Sequence, residues 1–169
     1  MTKMIDPMIG ELRHEAATTK RVIERVPTDK LSWKPHDKSM SLGQLALHVA
    51  TIPGGIAKMA QADEFDVANA NFNFAPAAST AEILAALDTN LAAAEAYLAG
   101  LDDAAATRTW RMTRGNKEIF AMPRIAMLRM IMLSHWYHHR GQLSVYLRML
   151  DVPLPSIYGP SADDNPFAA

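Results

Sequence analysis

Histidines are the residues of this chain best equipped for chemistry. Three of its six crowd into one stretch, Ser134-His135-Trp136-Tyr137-His138-His139-Arg140-Gly141-Gln142. His135 and His139 stand four residues apart. On a helix that spacing puts two imidazoles on one face, one turn apart, where both can bind one cation. The two histidines of a zinc-protease helix follow the same logic. The competing reading is a pair of core histidines, each satisfied by a carbonyl or a carboxylate, because burying an unpaired polar ring is costly. His138 adds an alternative. It lies three residues from His135, toward the flank with Ile131 and Val145, so geometry alone leaves His135 with His138 open as the ligand pair.

The element that must present these rings spans residues 123–150. Pro123 suits a first helical position, and Asp151-Val152-Pro153 ends the run. Counting about 100° per residue from Leu128, residues Met132, His135, His139, Leu143, Tyr146 and Leu150 fall within roughly 60° of one line. His135 and His139 are thus expected on the apolar stripe, pointing at the core. Arg129, Arg140, Ser144 and Arg148 are expected on the solvated face.

A third donor has to come from another element. Ser41-Leu42-Gly43-Gln44 fits a capping box and opens a helix with the stripe Leu42, Leu45, Val49, Ile52 and Ile56. His48 lies about 60° from Leu45, at the edge of that buried face. Alone it reads as a core or boundary histidine; facing His135 and His139 it becomes a possible third ligand. Pro53 cannot donate to the Val49 carbonyl, and Gly54-Gly55 loosen the helix further, which predicts a kink or break just past His48.

The remaining segments read as scaffold. The first helix starts at Asp6-Pro7, with Asp6 as N-cap and the stripe Met8, Ile9, Leu12, Ala16, Thr19, Ile23 and Val26, and stops at Pro27. Glu15 lies on the edge of that stripe and His14 on the solvated side. In the linker from Thr28 to Met40, Trp33 is expected to plug one end of the core and His36 to be a surface residue. Residues 63–79 show no helical period. They read as a loop, covering Asp63-Glu64-Phe65-Asp66 and packing Phe72 and Phe74 over the bundle. Ser79-Thr80-Ala81-Glu82 caps a third helix with the stripe Leu84, Leu87, Leu91, Ala94 and Leu98 and a terminal Gly100. Thr109-Trp110-Arg111-Met112 and Glu118-Ile119-Phe120-Ala121 could pair as a hairpin around Arg114-Gly115-Asn116-Lys117. The proline-rich stretch 152–164 is too apolar for a free tail and should fold back across the bundle.

Composition bounds the function. At 169 residues, 49% hydrophobic and 21% charged, the chain should form one domain, residues 1–169, of the all-α class. A net charge of −1 without a basic face argues against a nucleic-acid partner. There is no cysteine, so disulfides, thiolate catalysis and thiolate ligands are all excluded. No run of apolar residues is long enough for a membrane span, and Met1 to Gly10 has no secretory character, so a cytoplasmic location is expected.

Taken together, the early histidine of the second helix, the His-x-x-x-His followed by Arg-Gly-Gln, and the closing Pro155-Ser156-Ile157-Tyr158-Gly159-Pro160-Ser161-Ala162-Asp163 resemble the DinB family, within the DinB/YfiT-like metalloenzymes. Trp33-Lys34-Pro35-His36-Asp37-Lys38-Ser39 and Leu45-Ala46-Leu47-His48 support the likeness, which spans nearly the whole chain. The resemblance implies a four-helix bundle with an up-down-down-up path, a homodimer, and one divalent metal ion, zinc or nickel, held by His48, His135 and His139. His138 then drops to a flanking role. Three imidazoles without a thiolate leave a coordination position open. There a water could be activated toward pKa ~7, or a substrate thiol deprotonated. Relatives in the wider superfamily include thiol-dependent S-transferases and a maleylpyruvate isomerase. A metal-dependent enzyme using a low-molecular-weight thiol is therefore the leading expectation. A hydrolase of small amides or esters, or a non-catalytic metal-binding bundle, is the alternative. Glu15, Gln142, Tyr137 and His138 are candidate helpers, each of which also reads as an ordinary boundary residue.

Overall fold

The computed structural model describes residues 2–70 and 76–168. It is mostly helical: α1 (Asp6–Ile23), α2 (Leu42–Met59), α3 (Thr80–Gly100), the short α4 (Asp103–Thr107), and a final helical path made of α5 (Arg124–Met127), a π-helical stretch (Leu128–Ser134) and α6 (His135–Met149). The all-α expectation needs one correction. Strands β1 (Glu64–Asp66), β2 (Thr109–Arg114) and β3 (Lys117–Pro123) form a three-stranded sheet in the order β1-β2-β3.

The β2–β3 hairpin is the one expected, pairing Trp110 with Met122 and Met112 with Phe120. Its turn runs through Gly115 at φ 56°, a left-handed conformation that glycine adopts without a Cβ clash. β1 replaces the loop expected at Asp63 to Asp66. It lies parallel to β2, with Phe65 opposite Met112, and Asp66 Oδ1 accepts from the Gly115 amide at 3.0 Å. A three-residue strand is too short to show a period in sequence. Phe72 and Phe74 lie outside the described residues.

Local chemistry explains the helix ends. Ser41 caps α2 with its Oγ accepting from Gln44 N, and Gln44 Oε1 accepts from Ser41 N, a complete capping box. Ser79 Oγ accepts from Glu82 N, while Glu82 reaches the Ala78 amide rather than Ser79. Asp6 is not an N-cap. It begins α1, follows an Ile5 that makes no side-chain cap, and accepts from Lys3 N at 2.8 Å. Gly100 is the last residue of α3 rather than a left-handed residue after it.

α2 packs against α3 and against α6, and α1 against α3. Leu12, Leu45, Val49, Leu87, Leu98, Leu128, Met132, Trp136, Leu143 and Leu147 fill the core. Trp33 is half-buried, set edge-on to Tyr146 at 5.6 Å between ring centroids. The closing stretch does fold back. Val152, Leu154 and Ile157 lie on the core, and Arg21 donates to the Ser156 carbonyl at 3.0 Å. No helix among the described residues is long and apolar enough to cross a membrane.

Candidate metal centre

Two departures from regular α-helix position the histidines. The first is Pro53. α2 does not break there; it runs unbroken from Leu42 to Met59. The Val49 carbonyl, which a proline cannot satisfy, instead accepts from the indole Nε1 of Trp136 at 2.9 Å. Val49 follows His48, and Trp136 follows His135, so this buried bond fixes the two histidine-bearing helices against each other.

The second is the π-helical stretch Leu128–Ser134. A π turn admits an extra residue and re-phases everything after it. Upstream, Leu128 and Met132 are buried as expected. Downstream, the fully buried positions are Trp136, Arg140, Leu143 and Leu147, of which only Leu143 lies on the expected line through His135 and His139. Those histidines are consequently half-buried, at the flank of the core rather than pointing into its middle. The expectation that Arg140 is solvated is overturned for the same reason: it is 1% exposed.

The three expected rings converge. One ring nitrogen from each of His48, His135 and His139 lies within 4.8 Å of the others. The Nε2 atoms of His135 and His139 are 2.7 Å apart. The His48 ring is 4.5 Å from that of His139 and 5.3 Å from that of His135 between centroids, both edge-on. His139 Nδ1 is 2.7 Å from Gln142 Oε1. His138 is exposed, its ring 4.9 Å from that of His139, and it stands outside the converging group.

Electrostatics keep these rings neutral. Burial, then the neighbouring His139 and His135, push the His48 imidazole down to about 4. Burial also lowers His135, opposed by the Ile131 carbonyl, and lowers His139, opposed by the bond to Gln142. A neutral imidazole carries one proton and one lone pair, and the lone pair is what a metal needs. The donor set therefore fits a divalent ion. It offers three nitrogens, no thiolate and no carboxylate, the set that leaves a catalytic-type ion with an open position.

Of the other candidate helpers, Gln142 touches the group directly. Tyr137 Oη donates to Glu11 Oε1 on α1 at 2.9 Å. Glu15 forms a buried ion pair with Arg140 at 2.6 Å. The Arg140 guanidinium also donates to Thr19 Oγ1 at 3.0 Å and to Tyr158 Oη at 2.6 Å, and Tyr158 Oη donates to Glu15 Oε2 at 3.1 Å. This network ties α1, α6 and the closing stretch together. On a straight helical wheel nothing marked Arg140 as buried; its traces were the Arg-Gly-Gln that follows His139 and the Ile157-Tyr158-Gly159-Pro160 motif that supplies its partner.

A mostly helical chain that gathers three neutral imidazoles from two helices is one that could hold a metal ion. The comparisons agree on its kin: residues 1–166 match the DinB family, and the chain belongs to it. It is 24% identical over 170 residues to the uncharacterized protein YrdA of Bacillus subtilis (strain 168), covering 97% of this chain and 93% of that one. Its fold is similar to two solved structures. One is a DinB-like protein of Bacillus cereus ATCC 10987, with a TM-score of 0.71 and 20% identity over 94% of this chain and 100% of that one. The other is the DinB-like protein YjoA of Bacillus subtilis, with a TM-score of 0.65 and 20% identity over 94% of this chain and 99% of that one.

Proposed function

We propose that the chain, acting as one domain over residues 1–169, is a cytoplasmic metal-dependent enzyme. It binds one divalent ion, zinc or nickel, through His48, His135 and His139, and its substrate is a small molecule, with a low-molecular-weight thiol in an S-transfer reaction as the leading class. The observation that carries this reading is the convergence of three neutral imidazoles at the flank of the core, where His135 and His139 are half-buried. A divalent ion held there supplies a Lewis acid that lowers the pKa of a thiol or water beside it.

The chain's own residues would hold and orient that ion. His48 enters from α2, and His135 and His139 from α6. The Trp136–Val49 bond sets the distance between the two helices, and the absence of carboxylate donors leaves the ion's charge uncompensated. Such a charge favours an anionic thiolate over a neutral thiol.

The architecture fits a four-helix bundle with an up-down-down-up path, whose helices would be α1, α2, α3 and the final helical path. Pairing of α2 with α3 and α6, and of α1 with α3, supports that reading. A homodimer is supported by exposed apolar residues on α6, Val145 at 58% and Met149 at 55% exposure. Sedimentation at several concentrations tests it; a monomer at all of them removes the dimer.

The test of the catalytic reading is a screen of metal-loaded protein with low-molecular-weight thiols and electrophilic acceptors. Turnover abolished by His139→Ala is expected. No turnover with any pair removes the S-transfer reading and leaves a metal-binding bundle.

A further inference from the structure

Gln142 is exposed, yet its side chain makes one of the shortest polar contacts around the histidine group: Oε1 lies 2.7 Å from His139 Nδ1. An exposed amide three residues along a helix could be solvated by water at little cost, so this bond does little for the fold. Its consequence lies in where it places a proton. An amide oxygen only accepts, so His139 must carry its proton on Nδ1 and present a bare Nε2. The 2.7 Å between His139 Nε2 and His135 Nε2 sets two ring nitrogens side by side, where one cation can take a lone pair from each. With the amide turned the other way, its NH₂ would donate to His139 Nδ1. The His139 proton would then sit on Nε2, inside the group of three, blocking that lone pair.

We infer that Gln142 is a positioning residue that fixes His139 in its Nδ1–H form, so that Nε2 faces His48 and His135 ready to bind a divalent cation. This rests on the metal reading above and adds a residue that reading does not use. The residue three positions after His135 is His138, whose exposed ring stands outside the group, and on His135 the Ile131 carbonyl acts instead. Outer partners that fix a ligand's tautomer commonly contribute about 10–100-fold in metal affinity.

The test compares Gln142→Leu and Gln142→Glu with the wild type. Nitrogen-15 NMR of the metal-free proteins reads the His139 tautomer, and competition with a chromogenic chelator reads zinc affinity. Wild type is expected to show His139 as Nδ1–H. Gln142→Leu should shift it toward Nε2–H and weaken zinc about 10–100-fold. Gln142→Glu, which still accepts at Nδ1, should keep both the tautomer and the affinity. Melting of the metal-free proteins should be the same for all three, since the side chain is exposed. His139 found as Nε2–H in the wild type, or zinc bound equally well by Gln142→Leu, overturns the role of Gln142 while leaving the metal reading standing. A wild type that binds no zinc or nickel overturns both.

Discussion

Trp136 Nε1 donates to the carbonyl of Val49 at 2.9 Å, and that carbonyl is the one Pro53 leaves without its helical partner. A defect in one helix thus becomes the joint to another. The two residues stand immediately after His48 and His135, so the joint sets the spacing of the candidate ligands. Trp136→Phe keeps most of the ring but leaves a buried acceptor unpaired. It should lower unfolding stability by about 1–3 kcal/mol, read from denaturant midpoints of the metal-free protein. It should also weaken zinc binding. Unchanged stability would mean the bond carries no load.

Arg140 and Glu15 form a buried pair at 2.6 Å, joined by Tyr158. Removing one partner strands the other charge. Arg140→Met or Glu15→Leu alone should destabilise by about 3–5 kcal/mol. The double variant should melt above either single one, because neither charge is then left buried. Tyr158→Phe, which removes the hydroxyl between them, should fall between wild type and the single variants.

The candidate ligands also make stability depend on pH. His48, His135 and His139 all have folded-state pKa values below their ordinary 6.5, with His48 near 4. The unfolded chain therefore binds protons more readily than the folded one. The stability due to the neutral rings is complete above about 6.5 and is lost as pH falls from there toward 4. Metal-free protein should show lower denaturant midpoints at pH 5 than at pH 7, and His48→Phe should flatten the difference. A midpoint that rises on acidification through this window would reverse the sign and refute the neutral-ring assignment.

Two adjacent glycines of α2 should behave oppositely. A Cβ on Gly54 would stand 2.3 Å from Asn90 Oδ1 and 2.8 Å from Asn90 Cα, whereas one on Gly55 meets nothing within 4 Å. Gly54→Ala must push α3 away, at about 1–3 kcal/mol. Gly55→Ala should stabilise by about 0.5–1 kcal/mol through helix propensity. Thermal melts of the two variants decide it.

Much of this was legible in the residues. The capping box of Ser41 and Gln44 and the hairpin around Gly115 rest on local chemistry, and the His135–His139 pair on spacing within one element; His48 joined them through the family resemblance. The misses share a physical cause, which is a tertiary partner overriding a local rule. Pro53 read as a kink or break; the helix runs on through it, and the sequence does not show that Trp136 takes up the Val49 carbonyl. Arg140 read as solvated because a straight wheel has no π turn; one inserted residue between Leu128 and His135 moved Arg140 inward and the histidines outward. β1 was hidden because its pairing partner, β2, lies 47 residues away by register, Glu64 standing opposite Arg111.

The central claim is that His48, His135 and His139 hold one divalent ion. Its most direct test is metal content by mass spectrometry on tag-free protein, after loading with zinc or nickel and desalting, beside His139→Ala. The account predicts close to one ion per chain, lost in the variant. No metal in the wild type after loading, or the same content in His139→Ala, would contradict it and return the three histidines to the role of core residues.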